Sequence, residues 1–208
     1  MAKAIISPLL ERGEYHPQHV LGVVGSSSSI SSALNDLPKK VKVVSSKDSL
    51  SKEVWKAPLK ILAVKPQQFC KIKESVSSFQ SNDQFPKPLL ISVLAGITLK
   101  SLKKAFPGHT CVRAVPNPPS LVGQGLTGLA WEDEITLDQK TVVRKIFEPI
   151  SDIYELEEQK LDSFLALTSS GPAYIALVVE AMADGAVAAG LPRHLSNQLA
   201  HKALSGTA

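Results

Sequence analysis

The sequence predicts an α/β protein in which a doubly wound parallel sheet is followed by an all-helical region. Short apolar runs alternate with segments of helical periodicity from the start of the chain to about residue 156. Several of these runs are apolar throughout, as expected for parallel strands that helices cover on both faces. Beyond residue 156 the strand pattern stops, and one helical segment follows another.

The alternating pattern begins inside a helix. Residues 2–12 have helical spacing with Gly13 as the stop, and the first strand is predicted at residues 19–25. The next predicted elements are a short helix at 30–37, a strand at 40–44, a helix at 46–56, a strand at 59–64, a helix near 68–80 and a strand at 89–96.

The second half of the pattern completes the sheet. It predicts a helix near 98–105, strands at 110–115 and 125–131, a helix at 137–149 and an edge strand at 152–156. The helix at 137–149 places its apolar residues on one face, namely Val143, Ile146, Phe147 and the following Ile150. We therefore expect a sheet domain at residues 1–156 and a helical domain at residues 157–208.

Composition excludes several classes of protein. The chain has 208 residues, 44% of them hydrophobic, so it can bury a sizeable core. Its net charge of +4 comes from scattered lysines, which argues against a nucleic-acid surface. Cys70 and Cys111 are too few for a disulfide framework and lack metal-ligand spacing. We expect no metal site, two buried thiols and a cytoplasmic protein.

The longest apolar run, residues 172–191, predicts a buried helix rather than a membrane span. Glu180 and Asp184 interrupt it, and charges inside a span are costly in lipid. Its many alanines permit close approach of another helix, so we expect burial between subunits. No signal-peptide pattern is visible, since Pro8 and then charged residues follow the first apolar residues.

Loops at the carboxyl ends of the strands are the expected ligand site of an open sheet. After the first strand the chain carries four serines, Ser26 to Ser29, where NAD-specific sites usually have an acidic residue. These hydroxyls either accommodate a 2′-phosphate or form a solvated turn. Lys65 follows another strand, where its ammonium group either meets cofactor phosphate or ribose or is simply exposed, and Pro66 fixes the turn.

Five motifs resemble, in order and approximate spacing, those of the pyrroline-5-carboxylate reductase family. They are "LAVKPQ" (62–67), "SVLAGIT" (92–98), "VRAVPNPPSLVGQG" (112–125), "LTSSGPAY" (167–174) and "ADGAVAAGLPR" (183–193). The resemblance implies a Rossmann-type dinucleotide-binding domain and a helical domain that dimerises. It also implies reduction of 1-pyrroline-5-carboxylate to L-proline with NADPH, or alternatively NADH, as cofactor.

The resemblance assigns residues to a cofactor cleft and a substrate site. Ser27 is expected near the adenosine ribose phosphate, and Asn117 on the nicotinamide side of the active site. The cleft itself would be lined by Ala63, Val64, Lys65, Pro66, Ala95 and Gly96. The substrate would bind at Ser170, Gly171 and Pro172, where a helix begins and its amide groups suit an anion.

Departures from the family pattern also carry expectations. Ser169 stands where the family usually has Gly, Pro118 where it often has Thr, and Ser46 where Asn is frequent. No G-x-G-x-x-G turn occurs, and the family's S-P-G-G-T-T segment would follow residue 208. The sequence thus predicts a fragment without the opening strand and with an incomplete helical domain, which would not reduce the substrate at a useful rate.

No catalytic residue is assigned, because the cofactor supplies the hydride and the protein orients the reactants. Glu180 and Asp184 are four residues apart on one helix face, a spacing we interpret as helix-interface contacts rather than catalysis. Two alternatives to a reductase remain at this point. One is a non-catalytic dimerising remnant of the fold, and the other is a different Rossmann-type imine or hydroxyacid reductase.

Overall fold

The computed structural model of the chain describes residues 1–37, 40–76 and 87–207. Its contacts divide the chain into two compact units, Met1–Asp162 and Ser163–Ala208. The boundary expected after residue 156 remains a prediction.

The first unit follows the predicted alternation closely. Its helices are α1 (Ala2–Glu11), α2 (Ser28–Asp36), α3 (Phe69–Val76), α4 (Leu99–Ala105) and α5 (Leu137–Phe147). Its strands are β1 (Leu21–Val24), β2 (Lys42–Ser45), β3 (Leu59–Leu62), β4 (Leu89–Ser92), β5 (Thr110–Pro116), β6 (Gly125–Trp131) and β7 (Ser151–Glu155). The segment predicted as a helix at 46–56 is instead 3-10, Ser49–Lys56, and residues 77–80 of the helix predicted near 68–80 lie outside the described residues.

Capping residues explain where the helices of this unit begin and end. Thr98 accepts a hydrogen bond from the backbone nitrogen of Ser101 at 3.2 Å and so starts α4. Thr136 and Gln139 form a reciprocal capping box at the start of α5. Gly13, with a φ of +73°, follows α1, as the sequence predicted.

The sheet is mostly parallel but divided in two. β1 and β2 form one parallel pair, while β3 to β7 form a five-stranded sheet in chain order. Within that sheet β6 runs antiparallel to β5. The other strand pairs are parallel, which confirms the predicted α/β fold class with its doubly wound sheet. The break falls between β1 and β3, which are the two neighbours of the opening strand in a doubly wound order.

The five-stranded sheet has a core on each face. Ile91 and Val112 face one cluster with Ile146 and Phe147 of α5, and alternate residues such as Leu90 face a second cluster. That second cluster contains Leu62, Leu94, Leu102, Ala105, Phe106 and Cys111. β4 is buried along its whole length and β5 up to its last residue, which confirms a sheet covered on both faces at its centre.

The two cysteines differ in environment. Cys111 is buried in β5, and burial raises the pKa of its thiol to about 12. Cys70, on α3, is exposed, so the expectation that both thiols are buried was wrong for Cys70. Cys70 lies between Phe69, which packs against the core, and exposed Lys71, so it is at the solvent side of α3.

The second unit is a pair of helices. α6 (Leu161–Thr168) crosses the division between the units, and α7 (Gly171–Ala188) and α8 (Arg193–Thr207) follow it. α7 and α8 pack through Val179, Ala183 and Ala200, and Gly190, with a φ of +103°, lies in the turn between them. All the elements predicted beyond residue 156 are helices, as observed.

Most of α7 is exposed in the single chain. Only Val179 and Ala183 of this helix are buried. The rest of the predicted burial of the apolar run would therefore have to come from another molecule. Its exposed apolar residues include Tyr174, Ile175, Leu177, Val178 and Met182. By length and composition alone, the helical stretch Glu158–Ala188 could also cross a membrane.

Candidate active site

The topology brings three of the predicted loops to one edge of the five-stranded sheet. β3, β4 and β5 are parallel neighbours, so their carboxyl ends lie side by side. Lys65 and Pro66 follow β3, Ala95 and Gly96 follow β4, and Asn117 follows β5. This edge is where an open α/β sheet binds its ligand.

The loop after β3 presents a lysine on a fixed backbone. Lys65 is exposed and extended, with φ −69° and ψ 142°, and Pro66 starts a 3-10 turn. The backbone nitrogen of Gln68 donates to the carbonyl of Lys65 at 2.8 Å, which closes the turn. Ala63 and Val64 are half-buried, and Val64 packs against the core. Lys65 is therefore available to an anionic ligand while the residues before it are anchored.

The loop after β4 leaves open space above its backbone. Ala95 and Gly96 are exposed, and a Cβ placed on Gly96 would have no heavy atom within 4 Å. Gly96 has a φ of +73°, a conformation that favours glycine. Leu94 is buried and holds the loop to the core. A phosphate or sugar group of a ligand can approach the backbone of this turn, because no side chain occupies the space above Gly96.

The serine loop follows β1 and leads into α2. Ser27 is exposed at the start of α2 and makes no side-chain cap hydrogen bond. Ser26 exchanges hydroxyl hydrogen bonds with Ser28 at 2.9 Å and with Ser29 at 3.0 Å. The hydroxyl of Ser46, at the end of β2, donates to the carbonyl of Gly25 at 3.1 Å. The loop is thus a cluster of hydroxyl groups without an acidic side chain.

Asn117 has a structural contact that the sequence did not predict. It is buried, and its side-chain oxygen accepts a hydrogen bond from the backbone nitrogen of Leu126 at 2.8 Å. This bond ties the loop after β5 to the start of β6. The position of Asn117 on the nicotinamide side of the active site remains a prediction. Its side chain is held in place by the hydrogen bond from β6.

The predicted substrate residues lie in the second unit. Ser170 is exposed and precedes α7, while Gly171 and Pro172 are the first two residues of that helix. Ser170 makes no side-chain cap hydrogen bond, and its carbonyl accepts from the nitrogen of Ala173 at 3.1 Å. The beginning of an 18-residue helix carries amide groups suited to an anion.

The carboxylates of α7 are not arranged as a catalytic pair. Asp184 lies 2.5 Å from the guanidinium of Arg193, which starts α8, and Glu180 is exposed. The interpretation of these residues as helix-interface groups fits this ion pair. Among the described residues, no cluster of three metal-ligating side chains occurs.

Sequence reasoning missed an ion-pair network next to the loop that follows β4. Arg113 is only 3% exposed in β5 and contacts Glu158 and Asp162 at 3.3 and 3.2 Å. A signal was present, because an arginine inside the apolar strand "TCVRAV" requires partners. The sequence alone could not identify them, since they lie 45 and 49 residues further along the chain.

These features define a Rossmann-type oxidoreductase in which helices follow the nucleotide-binding sheet. Residues 158–208 match the model of the pyrroline-5-carboxylate reductase dimerisation family. The chain is 35% identical over its whole length to pyrroline-5-carboxylate reductase of Synechocystis sp., of which it covers 74%. The corresponding protein of Thermus thermophilus is 31% identical over the same extent and is also covered to 74%.

Solved structures agree with these sequence comparisons. A pyrroline-5-carboxylate reductase from Coxiella burnetii superimposes with a TM-score of 0.83 at 28% identity, over 99% of this chain and 73% of that one. The Plasmodium falciparum enzyme, solved with NADP bound, has a TM-score of 0.75 at 24% identity over 98% of this chain and 71% of that one. The chain belongs to the pyrroline-5-carboxylate reductase family.

Proposed function

We propose that this protein reduces 1-pyrroline-5-carboxylate to L-proline with NADPH as the hydride donor. The observation that carries the proposal is the open edge of the sheet, where exposed Lys65 and the unobstructed turn at Gly96 follow adjacent strands. Membership of the family supplies the reaction. The same reasoning disfavours a different imine or hydroxyacid reductase.

The residues of the chain would bind and orient the reactants. When bound, the nicotinamide cofactor supplies the hydride that attacks the C=N carbon. Lys65 would hold a phosphate or ribose oxygen, and the turn of Ala95 and Gly96 would let the ligand approach the backbone. Ser170 and the first amides of α7 would hold the substrate carboxylate. These contacts would contribute by orienting the nicotinamide and the imine for hydride transfer.

The serine loop supports a preference for NADPH over NADH. Ser27 and its neighbours offer hydroxyl groups, and residues 25–29 contain no carboxylate that would repel a 2′-phosphate. Replacing Ser27 by aspartate should lower kcat/KM for NADPH more than for NADH. An equal loss with both cofactors would remove Ser27 from the phosphate site, and Ser32→Asp on the exposed surface of α2 provides the matched control.

Self-association is the second part of the proposal. The family model that matches residues 158–208 is named for dimerisation, and the apolar face of α7 is exposed in the single chain. A second copy would cover this face and remove apolar surface from water.

We also propose a cytoplasmic location, which fits the free cysteines.

A non-catalytic dimerising remnant is the second candidate function. The dimerisation-family model that matches residues 158–208 supports it, because self-association does not require catalysis. NADPH oxidation should be measured for residues 1–208 beside a protein extended at both ends. We expect turnover only in the extended protein, and comparable turnover in both would show that residues 1–208 supply the whole site.

A further inference from the structure

One carboxylate oxygen of Glu158 connects a buried strand to the start of a helix. Oε1 accepts from the backbone nitrogen of Leu99 at 2.7 Å and from Nη1 of Arg113 at 3.3 Å. Leu99 is the first residue of α4, so its amide has no acceptor within the helix. Glu158, 59 residues away in sequence, provides that acceptor.

Burial makes this arrangement rigid. Arg113 is almost fully buried, and a buried guanidinium is costly unless carboxylates stay beside it. Its other terminal nitrogen contacts Asp162, whose side chain is 81% exposed and therefore a weaker partner. Glu158 is therefore the main partner of the Arg113 guanidinium, and it also accepts the hydrogen bond from the amide of Leu99.

The segment that this network holds is the loop after β4. At its beginning, the backbone nitrogen of Val93 donates to the carbonyl of Leu62 at 3.0 Å, which ties the loop to the end of β3. At its end, Thr98 caps Ser101 and Glu158 caps Leu99. Ala95 and Gly96 lie between these anchors and are exposed, while their neighbours Leu94 and Ile97 pack against the core.

We propose that Arg113 and Glu158 are positioning residues that fix the loop of Ala95 and Gly96 for the dinucleotide. The inference rests on the proposed function, since it assigns a purpose to that loop. Neither residue contacts the ligand. Arg113 orients Glu158, Glu158 holds Leu99, and Leu99 sets the end of the loop, so the bound cofactor meets a turn that is already formed.

Amide hydrogen exchange of Leu99 tests the first step. Glu158→Ala removes the acceptor, so exchange at Leu99 should accelerate by about tenfold or more. Glu158→Gln keeps an oxygen acceptor and should accelerate it less, while Arg113→Met should also accelerate it by releasing Glu158. Asp162→Ala is the matched control, because it removes the other partner of Arg113 and should leave Leu99 unchanged. Unaltered exchange at Leu99 in Glu158→Ala would overturn the proposal.

Cofactor binding tests the second step. In the protein extended at both ends, the dissociation constant of NADPH should rise about tenfold in Glu158→Ala. The value of kcat at saturating NADPH should stay within about twofold of the parent, since no reacting atom is touched. Equal NADPH affinity in parent and variant would overturn the positioning role and leave the proposed function intact. Failure of the parent itself to bind NADPH would overturn both.

Discussion

Gly125, the first residue of β6, lies so close to Ser120 that no side chain fits at its position. A Cβ on Gly125 would stand 2.1 Å from the hydroxyl oxygen of Ser120 and 2.7 Å from the carbonyl oxygen of Ile150. The backbone nitrogen of Gly125 donates to that same carbonyl at 2.9 Å. The loop after β5 therefore packs directly onto backbone, next to the buried Asn117.

Replacing Gly125 by alanine should destabilise the protein by about 2–4 kcal/mol, because backbone must move to admit the methyl group. Urea unfolding measures the change in the free energy of unfolding. Gly25→Ala is the control, since a Cβ there would meet no heavy atom within 4 Å and its φ is not positive. Similar stability of both variants would show that the loop containing Ser120 moves at little cost to admit the methyl group.

A histidine away from the cleft should make stability depend on pH. His109 is buried against Trp55 and Phe106, and neither ring nitrogen has a partner among the described residues. Burial, with the nearby charge of Lys60, lowers the pKa of His109 from 6.5 to about 4. Between these two values the unfolded chain binds a proton that the folded chain does not, so stability falls as pH falls.

We expect a loss of about 3 kcal/mol from this group between pH 6.5 and pH 4, with its contribution fully present above pH 6.5. His109→Phe retains an aromatic ring and should abolish this part of the pH dependence. Urea unfolding at several pH values measures it, with exposed His194→Gln as the control. An unchanged pH profile in His109→Phe would contradict the assignment.

Replacing Lys65 by alanine should weaken NADPH binding by about 1–3 kcal/mol, the range for a hydrogen bond to a charged group. Titration of NADPH fluorescence in the extended protein measures the dissociation constant. Lys71→Ala, at an exposed position of α3, controls for the loss of one positive charge. If the two variants bind NADPH equally well, Lys65 has no contact with the cofactor.

Leu177→Glu should weaken self-association at least tenfold, because it places a charge in the apolar face of α7. Light scattering over a range of protein concentrations measures the oligomeric state. Leu137→Glu introduces the same charge at a more exposed leucine, on α5, and should have no effect. A parent chain that remains monomeric at high concentration would contradict the proposed dimer.

The elements that the sequence predicted are those with strong local signals. The apolar face of α5, for example, contains Val143, Ile146 and Phe147, and all three are buried. The antiparallel direction of β6 had a signal that was missed, because the eight residues 117–124 between β5 and β6 are too few for a parallel crossover. The exposure of Cys70 had no such signal, since burial of a thiol depends on which residues pack against it.

The candidate site divides in the same way. Lys65 could be located from the end of a predicted strand, a rule that needs only the element order. Gly96 was assigned through the family resemblance. The hydrogen bond from Leu126 to Asn117 and the contact of Arg113 with Glu158 could not be predicted, since each depends on tertiary packing across many residues. Residues at strand ends can be found from the local sequence pattern. The residues that hold them in place are distant in sequence and can be found only from the structure.

The break in the sheet has a consequence for cooperativity. In the described part of the chain, no ladder of hydrogen bonds joins β1 and β2 to the five other strands. β1 is half-buried along its length, while β4 is buried throughout. The strands β1 and β2 should therefore open as a separate foldon, at a lower free energy than the β3–β7 sheet. Their amides would exchange first, and the serine loop would fluctuate with them while Lys65 and Gly96 stay folded.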